Sequence, residues 1–313
     1  MKKGFIYRLI YGKGRADDFS LDDLPKNRWQ QFLWLMRNRF GVIFRANLLC
    51  APFWILLLLW DLICGAYVGD FTAGMEASQQ FSYLLNLTLL QYGTDAVLLG
   101  IAFCGLSGLF YVMRRLCWGQ PVKVVADFFK GVKNSGRQFF GIGFLLGIVV
   151  WLMVYLAGLA SLTTTSNNAF VWTVSVFLCF VAIIVATIAS VIACAQASLY
   201  NVKFITLIFN SLKLTFKRLF QLFAVCLATV FPFVLCWMLP WAVAKFAIAC
   251  VILTVGLGYA VCGQNTFCLG VFDLFINQQS YPDFVRMGLS GGKSFMQVEQ
   301  SATEKDDNAN NKQ

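Results

Sequence analysis

Six apolar stretches, each long enough to cross a bilayer as a helix, constrain this chain more than any other feature: 44–67, 96–113, 139–159, 170–193, 219–238 and 247–269. The hydrocarbon core of a membrane is about 30 Å thick, so a crossing helix needs about 20 apolar residues at 1.5 Å of rise each. No water reaches that core to satisfy backbone N–H and C=O groups, so each stretch is expected to be helical. The 313 residues are 59% hydrophobic and 13% charged, whereas a soluble domain is about 45–50% apolar and about 25% charged. This balance excludes a soluble enzyme and a disordered chain. The expected fold is all-α: a polytopic membrane protein with six transmembrane helices and cytoplasmic amphipathic helices. The expected organisation is a basic N-terminal segment with an amphipathic helix over 1–43, a six-helix membrane domain over 44–273, and a cytoplasmic, largely disordered tail over 274–313.

The distribution of positive charge orients the spans. Of the 25 Lys and Arg, all but Lys245 lie in the segment through Arg45, in the second and fourth connections, or after the sixth span. Cytoplasmic loops carry the excess of Lys and Arg, so both termini and the even-numbered connections are expected in the cytoplasm. The expected setting is the cell membrane, with the basic face against anionic headgroups. That accounts for the net charge of +10 without a nucleic-acid partner.

The chemistry available is narrow. The chain has no histidine, which excludes His-based acid/base catalysis, Ser/His/Asp and Cys/His nucleophile systems, and His-containing metal sites. The 11 cysteines include no C-x-x-C pair and sit almost entirely in apolar runs, where Cys acts as a small hydrophobe. Gly12–Lys13 and Gly292–Lys293 lack the context of a phosphate-binding loop. No paired carboxylates share a helix face within a span. No enzyme, cofactor or metal is therefore expected.

At the N-terminus, Phe5, Ile6, Leu9 and Ile10 suit one face of a short surface helix; a loosely packed terminus is the alternative. Arg8 interrupts this run, so no cleavable signal is expected. Ser20 to Asp23 resembles a capping box ahead of Pro25. A helix is expected from there through Trp29, Phe32, Leu33 and Met36. Further on, Phe129, Val132, Lys133, Arg137 and Phe140 match Phe209, Leu212, Lys213, Lys217 and Phe220, each pair 80 residues apart. Both segments read as amphipathic helices lying along the cytoplasmic interface before a span. A duplicated unit and a chance spacing both fit.

A charged N-terminal helix leads into the first span, where Asn47 stands in FRANLL. Gly108, Leu109 and Tyr111 end the second span, and Phe129, Lys133, Asn134 and Gln138 stand in FKGVKNSGRQ. In these features residues 30–240 resemble the YesL-like bacterial membrane proteins, a family of unknown function. The family's Pro-x-x-x-x-G ending of the first span is missing, because no proline occurs in 60–69. The resemblance implies an accessory role in solute uptake, with carbohydrate as the solute class and importer permease subunits as partners.

Ionisable groups within a span are functional candidates by default. Asp61 lies past the middle of the first span and could bind a cation or a substrate hydroxyl, although an interfacial position suits it better. Lys245 snorkels to the outer headgroups or pairs with Asp61; Asp95 could replace Asp61 as its partner. Gln196, Asn201, Gln264, Asn265 and Asp273 lie toward the cytoplasmic ends of the fourth and sixth spans. They line a vestibule or, more in keeping with such residues, bond helix to helix. Arg45 is expected to anchor the inner interface. Lys130, Lys133, Arg137, Lys213, Lys217 and Arg218 form the candidate cytoplasmic contact surface. Gly143 and Gly147 suit close helix packing. Two functions compete: an interaction subunit that assists an importer, and a stand-alone transporter with a polar path through Asp61, Asn86, Asp95 and Gln264.

Overall fold

A computed structural model describes residues 24–71, 77–162, 169–237 and 242–292, with the backbone alone over stretches such as 230–237 and 242–246. The N-terminal surface helix, the capping box and the polar end of the tail lie outside the described residues. Among those described there is no strand. The helices are α1 (Arg28–Asn38), α2 (Phe40–Phe71), α3 (Ala77–Cys117), α4 (Val124–Leu162), α5 (Ala169–Leu199), α6 (Phe204–Lys217), α7 (Leu219–Trp237), α8 (Ala242–Val251), α9 (Leu257–Phe272) and α10 (Gln278–Ser280). Two π-helical segments, Ile252–Gly256 and Asp273–Asn277, join α8 to α9 and α9 to α10.

Among the described residues, five stretches are long and apolar enough to cross a membrane: Phe40–Asp61, Leu89–Cys117, Val124–Gly158, Phe170–Leu199 and Ala247–Ser280. The expected span at 219–238 coincides with α7, whose described apolar part is the shorter Leu219–Thr229. Three other expectations change. Residues 77–95, read as part of a connection, are helical and continue into the second span. The segment from Phe129 to Phe140, read as an interfacial helix ahead of the third span, belongs to one unbroken helix, Val124–Leu162, that includes that span. In the second copy of the repeat, α6 and α7 are separated at Arg218 (φ −135°, ψ 30°). The residue matching Arg218 is Gln138, which stays helical and donates Nε2–H to the Val202 carbonyl (3.0 Å). Finally, 274–292 is not tail: the helix runs on to Ser280, and a 3-10 turn at Pro282–Phe284 follows.

The contacts divide the chain into two compact units: Met1–Leu49, Leu109–Gly131 and Ala224–Gln313 in the first, Cys50–Gly108 and Val132–Phe223 in the second. Small residues build the second unit. A Cβ on Gly143 would stand 2.7 Å from the Phe103 ring and 2.8 Å from the Leu99 carbonyl, and one on Gly147 would collide with the Ala96 backbone. Glycine there lets the α3 and α4 backbones approach closely. Trp151 adds a hydrogen bond to the Leu89 carbonyl (3.0 Å). A Gly147→Leu variant is therefore expected to lose about 1–3 kcal/mol or more through overpacking. Its unfolding midpoint in detergent would drop, while Gly136→Ala, whose added Cβ would stand 3.7 Å from Val132 and 3.8 Å from Ser107 in ordinary van der Waals contact, would leave it nearly unchanged.

The first unit contains α1, the turn from α3 to α4, and the α8–α10 region. Asn27 starts α1 by accepting the Gln30 N–H at its side chain (2.8 Å). Gln31, Phe32 and Leu35 form the buried face of α1, which packs on α9; Phe32 meets Tyr259 edge-on at 5.6 Å. The end of α3 closes as a Schellman motif. Gly119 adopts φ +70°, with Gln120 N–H bonded to Arg115 O (2.9 Å) and Gly119 N–H to Leu116 O (3.1 Å). This satisfies the last carbonyls of the helix, and Pro121 follows. Asp127 then accepts the Lys123 N–H (2.8 Å) and the Arg115 guanidinium. One carboxylate thus caps α4 and ties it back to α3.

Candidate functional site

Within the first unit, one buried polar cluster joins segments from both ends of the chain. Arg28 opens α1 and Gln31 lies one turn further on, so both project from the same face. Arg28 donates from Nη1 to Gln31 Oε1 (2.8 Å) and to the Met287 carbonyl (3.2 Å), and from Nη2 to Asp273 Oδ2 (2.6 Å). The side chains of Arg28 and Asp273 are only 12% and 11% exposed. The other Asp273 oxygen accepts from Asn277 Nδ2 (2.8 Å). Gln31 Nε2 donates to the Cys117 carbonyl (2.6 Å) and the Gly288 carbonyl (3.2 Å).

The C-terminal segment after α10 reaches this cluster as a strap. Its polar anchors are Ser290 N–H on the Pro25 carbonyl (3.0 Å) and Arg286 Nη2 on the Lys26 carbonyl (3.4 Å). Its apolar anchors are Met287 and Leu289, both buried. Gly288 adopts φ +78°, and any Cβ there would run into the Cys117 carbonyl. Glycine is required on both counts.

A second polar contact lies on the π-helical segment Ile252–Gly256. Leu257 N–H bonds to Ile252 O, the i+5 pattern. The next bond of that pattern would join Gly258 N–H to Leu253 O. Instead the buried Asn47 amide stands between them, donating Nδ2–H to Leu253 O (2.6 Å) and accepting the Gly258 N–H at Oδ1. Such interruptions of a helical ladder commonly mark functional positions.

The expected site residues are placed as follows. Gln264 donates to Thr229 Oγ1 (3.3 Å), and Gln196 Oε1 accepts from Ser211 (3.2 Å). Asn265 is buried with its Nδ2 3.9 Å from Cys117 Sγ, and its Oδ1 has no partner among the described residues. Asn201 is exposed in the connection before α6. Asp61 is exposed and accepts from Gln91 Nε2 (3.2 Å), with Asp95 one turn beyond Gln91. Asn86 is exposed. The Lys245 side chain lies outside the described residues, and so does any pairing with Asp61. Lys130, Lys133, Arg137, Lys213 and Lys217 are exposed and Arg218 is half-buried; Arg218 donates to Gln221 (3.1 Å).

Reading the sequence singled out neither Arg28 nor Gln31. Arg28 was one cation in a basic stretch, and its partner Asp273 lies 245 residues away. The usable signal was weak: Arg28 and Gln31 share the α1 face that also carries Phe32 and Leu35. Chemically, the cluster pairs both terminal nitrogens of Arg28 and the Gln31 amide with acceptors, leaving the buried Arg28 Nε without one among the described residues, and clasps the two ends of the unit together. Among the described residues no three Cys, Asp or Glu side chains come together as a metal set would. No family model, curated protein or solved structure matches the chain.

Proposed function

We propose that this chain is a multi-pass protein of the cell membrane that serves as an accessory or regulatory subunit of a solute importer, with carbohydrate as the leading solute class. One observation carries the reading: polar side chains inside the helices are largely spent on one another. Arg28 holds Asp273, Asn47 holds the α8–α9 backbone, Gln264 holds Thr229, and Ser211 holds Gln196. That is the economy of a scaffold. What remains exposed within the second unit is suited to contact: Lys133 and Arg137 on α4, and Ile205, Phe209, Lys213, Phe216 and Lys217 on α6. Exposed large apolar side chains interleaved with cations mark surfaces that meet headgroups or partner proteins.

On this reading α7 is the fifth of six spans and both termini are cytoplasmic, as the placement of Lys and Arg supports. The solute class follows from the sequence resemblance to YesL-like proteins alone, and no family model matches the chain. In-cell crosslinking followed by purification in mild detergent tests it. Importer permease subunits are expected to be recovered in stoichiometric amount, and the yield should fall when Phe209 and Phe216 are both replaced by Ser. A clean monomer or homo-oligomer that moves solute in liposomes would replace this reading with that of a stand-alone transporter.

A further inference from the structure

We infer that the groove between the start of α2 and the first turn of α4 is a binding site for one anionic phospholipid. Its volume is about 580 Å³, and it is open to the surface. Leu48 and Leu49 form one wall, and Val124, Val125 and Ala126 the other. Leu48 and Val125 are substantially exposed, so in water this apolar surface would be left uncovered. A cation stands on each side, Arg45 on α2 and Lys123 just before α4.

The charge state of the groove decides between an acyl chain alone and a whole anionic lipid. Among the described residues the ion pairs are Arg28–Asp273 and Arg115–Asp127. Neither Arg45 nor Lys123 takes part in either. Arg45 is braced along its own helix, donating Nε–H to the Gly41 carbonyl (3.2 Å). The carboxylate in the same turn, Asp127, is neutralised by Arg115 and also accepts the Lys123 backbone N–H. Two cations without an ion-pair partner among the described residues, at the rim of an apolar groove, complement a phosphodiester above acyl chains. The first turn of α4 adds its positive helix end. Basic pockets between membrane helices bind anionic headgroups in this way. A neutral zwitterionic lipid would gain the apolar walls but little from the cations, and a free phosphate would gain the cations but not the walls.

The inner-leaflet location rests on the orientation given under the proposed function; lipid selectivity does not. Labelling a cysteine placed at Gly119 from either side of sealed vesicles reads the orientation separately. The binding test is native mass spectrometry of the full-length protein, titrated with phosphatidylglycerol and with phosphatidylcholine of the same chains. At about 1 kcal/mol per cation near an anionic surface, two cations predict a preference for phosphatidylglycerol of about tenfold or more. The Arg45→Gln/Lys123→Gln variant should lose that preference, whereas Arg37→Gln/Lys130→Gln, which removes the same charge elsewhere, should keep it. Equal binding of the two lipids by the parent protein would overturn the assignment, and that comparison needs no variant. Equal loss in both double variants would also overturn it, showing a diffuse basic surface. So would displacement of the lipid by millimolar glycerol phosphate, showing a free-anion site.

Discussion

An Arg28→Ala variant is expected to lose about 3–5 kcal/mol of stability, the usual consequence of removing one partner from a buried ion pair. Asp273 would remain in place, with its side chain only 11% exposed. Its link to Asn277 would persist, but its charge would have no counter-ion. The Met287 carbonyl would lose its donor as well, so the strap should loosen with the pair. Unfolding of the purified protein in mixed detergent micelles reads the first effect. Limited proteolysis reads the second, with new cleavage expected within 281–292. The double replacement Arg28→Met/Asp273→Leu removes both charges, and it should recover most of the loss, because well-packed apolar residues commonly match a buried pair. A loss below about 1 kcal/mol in the single variant is the value of an exposed pair and would refute the clasp.

The second large effect concerns Asn47, where the shape of the replacement should matter more than its polarity. Asn47→Leu fills the same space while offering neither donor nor acceptor. Leu253 O and Gly258 N–H would both be left unsatisfied in apolar surroundings, at about 1–3 kcal/mol each. Asn47→Ala removes the wedge instead. The Gly258 N–H can then reach Leu253 O directly, continuing the i+5 bond that Leu257 already makes to Ile252. Leu is therefore expected to be the more damaging replacement, by about 2 kcal/mol. The usual rule for a membrane interior, that apolar replacements are tolerated best, predicts the reverse order. Unfolding midpoints of the two variants decide between them, and amide hydrogen exchange at 253–258 should rise more in the Leu variant. If Ala proves the worse replacement, the amide is not acting as a wedge in the ladder.

Much of the architecture was legible before any coordinates, because it rests on local quantities. An apolar run of 20 residues has one backbone solution in lipid, so 139–159 and 170–193 fall within α4 and α5. The G-x-x-x-G spacing at Gly143 and Gly147 led to a packed surface for the same reason: four residues is one helical turn. Element ends were less legible. Polar residues ahead of the second span, such as Gln91 and Asp95, read as a connection, yet α3 begins at Ala77. Helical hydrogen bonds are satisfied within the segment whatever its side chains, so a moderately polar stretch can extend a spanning helix. The same reasoning merges 124–138 with the third span.

The candidate site was the least legible part. Asp273, Gln264 and Gln196 stood out as polar residues in apolar surroundings, and Asn47 was noted within its motif, but none of their partners could be read. Arg28 bonds Asp273 across 245 positions, and Asn47 reaches Gly258 across 211. Composition and periodicity carry no information over such separations.

The sequence by itself determined that the chain is helical and apolar enough for a bilayer, because each apolar run must satisfy its own backbone in place. Only the tertiary structure decided which buried polar groups act as fasteners and which cations come together at the groove between α2 and α4. That distinction depends on what each group meets after the chain has folded back on itself.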